Sequence, residues 1–426
     1  MSPPDVKAIS RPSAEKLGSA NEGRATGSSA GAAGNELAPS VASATITRAS
    51  GNVIESKDWS ERQEPYAMLA IIPAPANFPY KMRRSTLLFL VIAAATAGAQ
   101  DGGVTHVDTI TAPSLEGNLI GDSNRREVTV YLPPGYSRNP RKRYPVVYLL
   151  HGFAADHRAF MAGVYANMNT RLSMDSLIRA GLVKEMIVVT PNARNAFDGS
   201  FYVNSVTTGN WEDFIYRDLV SFIDRRYRTI RNRSGRGLAG HSMGGYGALW
   251  VGMRHPETFS ALYALSPCCL RDFGDVAQRG VRAWKAALWV RNKSEIIKAG
   301  FQADLLLALG AAYSPNPGKP PLFIDLPNRL EGDSIVEIPE VAMKWLASPI
   351  SFVPRYATNL KRMHVAFDAG RHDALKDIPV SVAVLDSILT QLHVPHTAEL
   401  YDGDHMRRVR SRIETHTMPF FSRVLH

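Results

Sequence analysis

Along residues 100–426 two patterns alternate: short apolar runs rich in Val, Ile and Tyr, and longer stretches whose apolar side chains recur every three or four positions. Runs of the first kind suit buried strands and stretches of the second suit amphipathic helices. Their alternation predicts a mostly parallel sheet with helices on both faces. Eight strands are expected. A hairpin over 115–120 and 126–132 comes first, turning through Gly121-Asp122-Ser123-Asn124 and ended by Pro133-Pro134-Gly135. Buried strands follow at 145–150, 186–190, 237–240, 261–265, 364–367 and 398–401. Helices are expected at 211–227, from Met243 to about His255 where Pro256 ends the run, and at 380–392. The stretch 267–354 breaks the rhythm, mixing a helix expected at 294–309 with the Pro-rich loop 314–321, and is read as an insertion after strand six that caps the site as a lid.

The first 81 residues lack this patterning. They are rich in Ala, Gly, Ser and Pro, and are expected to be disordered and not part of the natural protein. Met82-Arg83-Arg84, an apolar run from Leu87 to Ala95 and the small-residue site Ala97-Gly98-Ala99 form the three parts of a secretory signal peptide at 82–99. That run is about half the ~20 residues a membrane span needs, so no stable membrane anchor is expected. The expected order is therefore translation from Met82, a mature chain starting near Gln100, a catalytic domain over 100–426 and a secreted or periplasmic location.

The formal net charge of +10 is scattered: Arg141-Lys142-Arg143, Arg225-Arg226 and Arg407-Arg408 lie among acids, with no aromatic-interleaved basic stripe. Nucleic acid is not an expected partner. The two cysteines, Cys268 and Cys269, are adjacent and cannot close an unstrained disulfide; they are read as small buried thiols.

Candidate chemistry centres on Gly240-His241-Ser242-Met243-Gly244. An apolar strand enters it and the small-residue run Gly244-Gly245-Tyr246-Gly247-Ala248 leaves it, the strand-turn-helix setting of a nucleophile elbow. The glycines two positions to either side of Ser242 let strand and helix approach. Gly235-Arg236-Gly237-Leu238-Ala239-Gly240 matches G-x-G-x-x-G but lies before and inside the strand, which argues against a dinucleotide site. A serine needs a base, and in this setting the partners follow in the order Ser, acid, His. His405, just past strand eight, is the expected base; Asp373, past strand seven, is the expected acid, with Asp368 as the alternative. Oxyanion donors are expected at the amides of Met243 and of Phe153 in His151-Gly152-Phe153. No His-Glu-x-x-His or paired-cysteine zinc pattern occurs, so neither a metal nor an organic cofactor is expected.

Tyr131-Leu132-Pro133-Pro134-Gly135-Tyr136, Tyr148-Leu149-Leu150-His151-Gly152-Phe153 and 240–248 together resemble the putative esterase family of the α/β-hydrolase fold. That family includes enterochelin esterases, feruloyl and acetyl xylan esterases, S-formylglutathione hydrolases and mycolyltransferases. The resemblance implies a Ser242, Asp373, His405 triad, oxyanion amides at Phe153 and Met243, and a serine carboxylesterase acting through an acyl-enzyme on a small-molecule or carbohydrate ester such as a feruloyl or acetyl ester. Acyl transfer and siderophore-ester hydrolysis are the alternatives it carries. Tyr202, Asn204 and Trp211 are candidate pocket residues, although core packing accounts for the aromatics as well.

Overall fold

Eight strands form the main sheet of the computed structural model, which describes residues 102–163, 165–271 and 280–426. The expected disordered segment and signal peptide lie outside the described residues. The strands are β1 (Val104–Thr111), β2 (Arg125–Leu132), β3 (Val146–Leu150), β4 (Ile187–Pro191), β5 (Arg236–His241), β6 (Ala261–Leu265), β7 (His364–Gly370) and β8 (His396–Tyr401). Their spatial order is β1-β2-β4-β3-β5-β6-β7-β8. β2 pairs antiparallel with β1 and β4, and every other neighbouring pair is parallel. This is the α/β-hydrolase arrangement. The C-terminal ends of β3, β5, β7 and β8 therefore share one sheet edge, where open α/β sheets hold their ligands.

One strand differs from expectation. The partner of β2 is Val104–Thr111, in register from Val104 opposite Leu132 to Thr111 opposite Arg125. Residues 115–120 are loop instead, with Gly117 at φ +72° and with Leu115 and Ile120 buried as plugs. A left-handed glycine in mid-run ends any strand there.

Side chains alternate across the sheet. Val146, Tyr148, Leu150, Leu238 and Leu262 join one apolar layer, and Val147, Leu149, Ala239, Ala261 and Tyr263 the other. The first layer is covered by α2, a continuous helical run over 211–226 with one wider turn at Phe214–Leu219, by α3 (Met243–Arg254) and by α4 (Asp377–Gln391). The second is covered by α1 (Thr170–Arg179) and by α5, the helical run over 409–424.

Within 267–354 the expected helix at 294–309 is two: Lys293–Ile296 and Phe301–Tyr313, divided by Gly300 at φ +88°. The insertion has its own packing, with the Trp284 and Trp345 rings 6.1 Å apart and Trp345 Nε1 donating to Ser314 Oγ at 2.8 Å. Its helix Phe301–Tyr313 reaches the sheet edge: the Phe301 ring meets Phe153 edge-on at 5.5 Å, and the Tyr313 hydroxyl bonds that of Tyr246 on α3.

Candidate active site

β5 runs straight into α3 with only Ser242 between them, held at φ 58°, ψ −118°. A left-handed, non-glycine residue costs of order 1–3 kcal/mol and persists only where its surroundings fix it. Those surroundings are glycines. A Cβ on Gly240 would collide with the Gly244 carbonyl group, and one on Gly244 with that of Leu150. Strand and helix can approach only because both positions lack a side chain. Ser242 N–H donates to Leu265 O at 3.0 Å, which pins the turn to β6. Gly235 to Gly240 lies before and within β5, in no position to open a helix.

His405 follows β8 in a short turn and Asp373 follows β7. The Ser242 hydroxyl faces His405 Nε2 at 3.0 Å, and His405 Nδ1 faces Asp373 Oδ2 at 2.7 Å. Asp373 is fully buried, and its second oxygen accepts the Leu375 N–H at 2.8 Å, so the carboxylate is fixed at both ends. Asp368 looks the other way. Its Oδ2 accepts from Tyr263 Oη and Arg412 Nε, each at 2.8 Å, and ties β6 and β7 to α5. Burial pushes its carboxyl up to about 6, against the pull of Arg412.

On the other side of Ser242, the loop after β3 carries Phe153. The amides of Phe153 and Met243 find no acceptor among the described residues. Their side chains meet over Gly199, where a Cβ would strike both. His151 governs the direction of the Phe153 amide. Ala193 N–H donates to His151 Nε2 at 2.9 Å, which leaves the imidazole proton on Nδ1, and Nδ1–H donates to Gly152 O at 2.9 Å. The Gly152 carbonyl and the Phe153 N–H belong to one planar trans peptide, so holding the first turns the second the opposite way. Burial lowers the His151 imidazole to about 4 and keeps it neutral.

Three expected pocket residues have other roles. Tyr202 is fully buried and donates its hydroxyl to His151 O at 2.9 Å. Trp211 is fully buried too, its Nε1 donating to Thr208 O at 2.9 Å. Asn204 is exposed, but its side chain exchanges bonds with Asp213 in the first turn of α2, through the Asp213 carboxylate at 2.6 Å and N–H at 3.1 Å. Packing accounts for the two aromatics, and the bonds to Asp213 hold the Asn204 side chain. Cys268 and Cys269 are buried, and neither is in a disulfide. Hydrogen bonding with Cys269, then burial, holds the Cys268 thiol well above its usual range, and a thiol that keeps its proton is inert.

Sequence reasoning passed over two members of the site. His241, between β5 and Ser242, is fully buried and bonds the His405 main chain through Nε2 at 2.8 Å, while Tyr165 Oη donates to its Nδ1 at 2.6 Å. Nothing in the spacing of these residues announces that contact, since 76 and 164 positions separate His241 from its partners.

The family model described as "Putative esterase" matches residues 123–409. A Xylanibacter ruminicola protein named endo-1,4-beta-xylanase/feruloyl esterase is 31% identical over 203 residues, 43% of this chain and 26% of that protein. A Mycobacterium tuberculosis protein named Esterase Rv1288 is 34% identical over 153 residues, 34% of this chain and 30% of its own. The chain thus spans less than a third of the length of these relatives. A solved structure titled ferulic acid esterase aligns with a TM-score of 0.52 at 23% identity, over 76% of this chain and 99% of that one, a likeness of fold. The family match runs from just before β2 to the start of α5 and takes in the elbow and the turns after β3, β7 and β8; the chain belongs to the putative esterase family.

Proposed function

We propose that the chain is an exported serine carboxylic ester hydrolase that works through an acyl-enzyme, with Ser242 as nucleophile, His405 as general base and acid, and Asp373 as its orienting carboxylate. The observation that carries this reading is the unbroken hydrogen-bond line from Ser242 Oγ through His405 to Asp373, at 3.0 and 2.7 Å. His405 Nε2 takes the hydroxyl proton as Oγ attacks the ester carbonyl carbon, and Asp373 stabilises the imidazolium. The carbonyl oxygen becomes an oxyanion that the Phe153 and Met243 amides receive. Collapse expels the alcohol, protonated by His405. Water, deprotonated by the same imidazole, then attacks the acyl-enzyme, releases the acid and restores Ser242. No step calls for a metal or an organic cofactor.

The relative named endo-1,4-beta-xylanase/feruloyl esterase supports a carbohydrate-linked feruloyl ester as substrate, with an acetyl ester as the alternative. The contact of Phe301 with Phe153 supports a lid role for the insertion. The signal pattern at 82–99 supports export, with translation from Met82 and a mature catalytic domain from about Gln100.

A panel of nitrophenyl, methyl feruloyl, acetyl-xylan and siderophore esters tests the activity, with Ser242→Ala as control. The wild type should be labelled at Ser242 by a fluorophosphonate and turn over at least one member; the variant should do neither measurably. A Ser242→Ala protein that still labels and turns over would assign the nucleophile to another serine.

A further inference from the structure

His241 stands beside the nucleophile yet takes no part in the proton relay. The His405 carbonyl oxygen can only accept, so the proton of His241 sits on Nε2 and is donated to that oxygen at 2.8 Å. Nδ1 is left with a lone pair, which receives the Tyr165 hydroxyl at 2.6 Å. Both groups are locked in these states. Burial, reinforced by the neighbouring His405, holds the His241 imidazole well below its usual range, and burial pushes the Tyr165 phenol up. The two histidine rings lie 4.7 Å apart, so a proton on His241 would set a second positive charge against the imidazolium that His405 has to form. Burial and the Tyr165 hydroxyl on the Nδ1 lone pair oppose this.

His405 needs such an anchor. It sits on an irregular turn, and its side-chain bonds to Asp373 and Ser242 orient the ring without holding the main chain behind it. The turn before it is tied by His372 N–H to Gly403 O at 2.9 Å, and the turn after it by the Met406 and Arg407 N–H groups to Asp404. At the His405 carbonyl itself the tie is to His241. Tyr165 extends the chain of contacts to the loop that bears Phe153: its hydroxyl occupies the space a Cβ on Gly152 would need. The elbow, the base turn and the oxyanion loop thereby meet at one imidazole.

We propose that His241 is a positioning residue for the reaction, fixing the His405 main chain through an Nε2–H that Tyr165 holds in that tautomer. This rests on the reading of Ser242 and His405 as nucleophile and base. With Tyr165 replaced, the imidazole is free to carry its proton on Nδ1, and two lone pairs then face each other across the 2.8 Å contact.

The test uses the full chain with 4-nitrophenyl acetate, measuring kcat, KM and Tm. His241→Leu removes the donor and should lower kcat by roughly 10- to 100-fold, the order of loss that small misplacement of a reacting group causes, with KM within about twofold. His241→Gln places an amide N–H near the Nε2 position and should recover most of that loss. Tyr165→Phe should lower kcat less than His241→Leu does, and should add nothing to it in the double variant, because the tautomer has no meaning without the imidazole. A purely packing role predicts instead that Gln and Leu are equally impaired and that the Tyr165 effect adds; either result overturns the proposal, as does a His241→Leu protein with wild-type kcat. Should His241→Leu fail to fold, Tyr165→Phe decides alone: wild-type kcat at unchanged Tm refutes the lock. A wild-type protein that neither turns over nor labels at Ser242 would count against the esterase reading instead.

Discussion

Asp368 and Asp373 lie five positions apart, and the pleat together with the turn at Gly370 sends them to different places. Asp368 is still within β7 and points into the layer with Tyr263 and Arg412, whereas Asp373 has passed the strand end and accepts from His405. Their substitutions should therefore fail differently. Asp373→Asn keeps the shape but cannot hold the imidazolium or its tautomer, and should cost roughly 10² to 10⁴ in kcat with little change in Tm. Asp368→Asn should retain most of the activity and lose stability, by about 1–3 kcal/mol, the worth of a charged buried hydrogen bond, since Arg412 keeps Glu399 at 2.6 Å. Steady-state kinetics beside urea unfolding of the two variants separates these outcomes; an inactive Asp368→Asn with an active Asp373→Asn would reverse the assignment. The order of Ser, acid and His was legible in the sequence. Asp373 was the expected partner of His405 and Asp368 the alternative, a choice that rests on where β7 stops, and strand ends are the part of a pattern that side-chain periodicity marks least.

At the scale of elements, the elbow is the part that local sequence specifies most completely. Gly240 and Gly244 encode a close approach that a Cβ at either position would block, and Gly244→Ala brings a Cβ onto the Leu150 carbonyl, which belongs to β3 and cannot step aside. That substitution should destabilise by at least the roughly 1–3 kcal/mol of an overpacked core, and should abolish fluorophosphonate labelling in whatever protein folds. A labelled, stable Gly244→Ala variant would mean that strand and helix can separate. The misread elements lie where patterning is weakest. β1 is an edge strand whose Val104 and Val107 are exposed and whose inward residues include Asp108, bonded to Arg226 and Tyr227, so it lacks an apolar face to recognise. Residues 115–120 read as a strand because Leu115 and Ile120 are buried, although they lie outside any strand ladder. In the insertion, Gly300 interrupts an apolar stretch that reads as one helix; periodicity alone passes through a glycine that backbone geometry does not. Tyr202 and Trp211 show a related limit, since an aromatic near the elbow looks the same in sequence whether it lines a pocket or fills the core.

At the scale of the molecule, buried ionisable groups pull stability in opposite directions as pH falls, and this gives a test of the oxyanion-loop geometry. His151 is neutral in the fold, lowered by burial to about 4, whereas an unfolded chain would protonate it near 6.5. Between those values the unfolded state binds the extra proton, so the contribution of His151 is fully present above pH 6.5 and is lost as pH falls toward 4. The slope is about 1.4 kcal/mol per pH unit, or about 3 kcal/mol over the window. Asp304 and Asp368 act against it. Burial raises both to about 6, so the fold binds their protons first and gains stability as pH falls from 6 toward their ordinary range near 4. The wild-type curve alone therefore mixes the two signs, and the informative quantity is the difference between wild type and His151→Asn. Asn can still donate to the Gly152 carbonyl from about the Nδ1 position, but it leaves the Ala193 N–H unpaired and has no proton to gain. At pH 7 the variant should be the less stable protein. As pH falls to 4.5 the gap in unfolding free energy, measured by urea titration, should narrow by about 2–3 kcal/mol, because the penalty for a buried neutral histidine falls on the wild type alone. A gap that stays constant from pH 7 to 4.5 would mean that His151 takes up a proton in the folded protein as readily as in the unfolded chain. The acceptor role toward Ala193, and with it the fixed direction of the Phe153 amide, would then be lost.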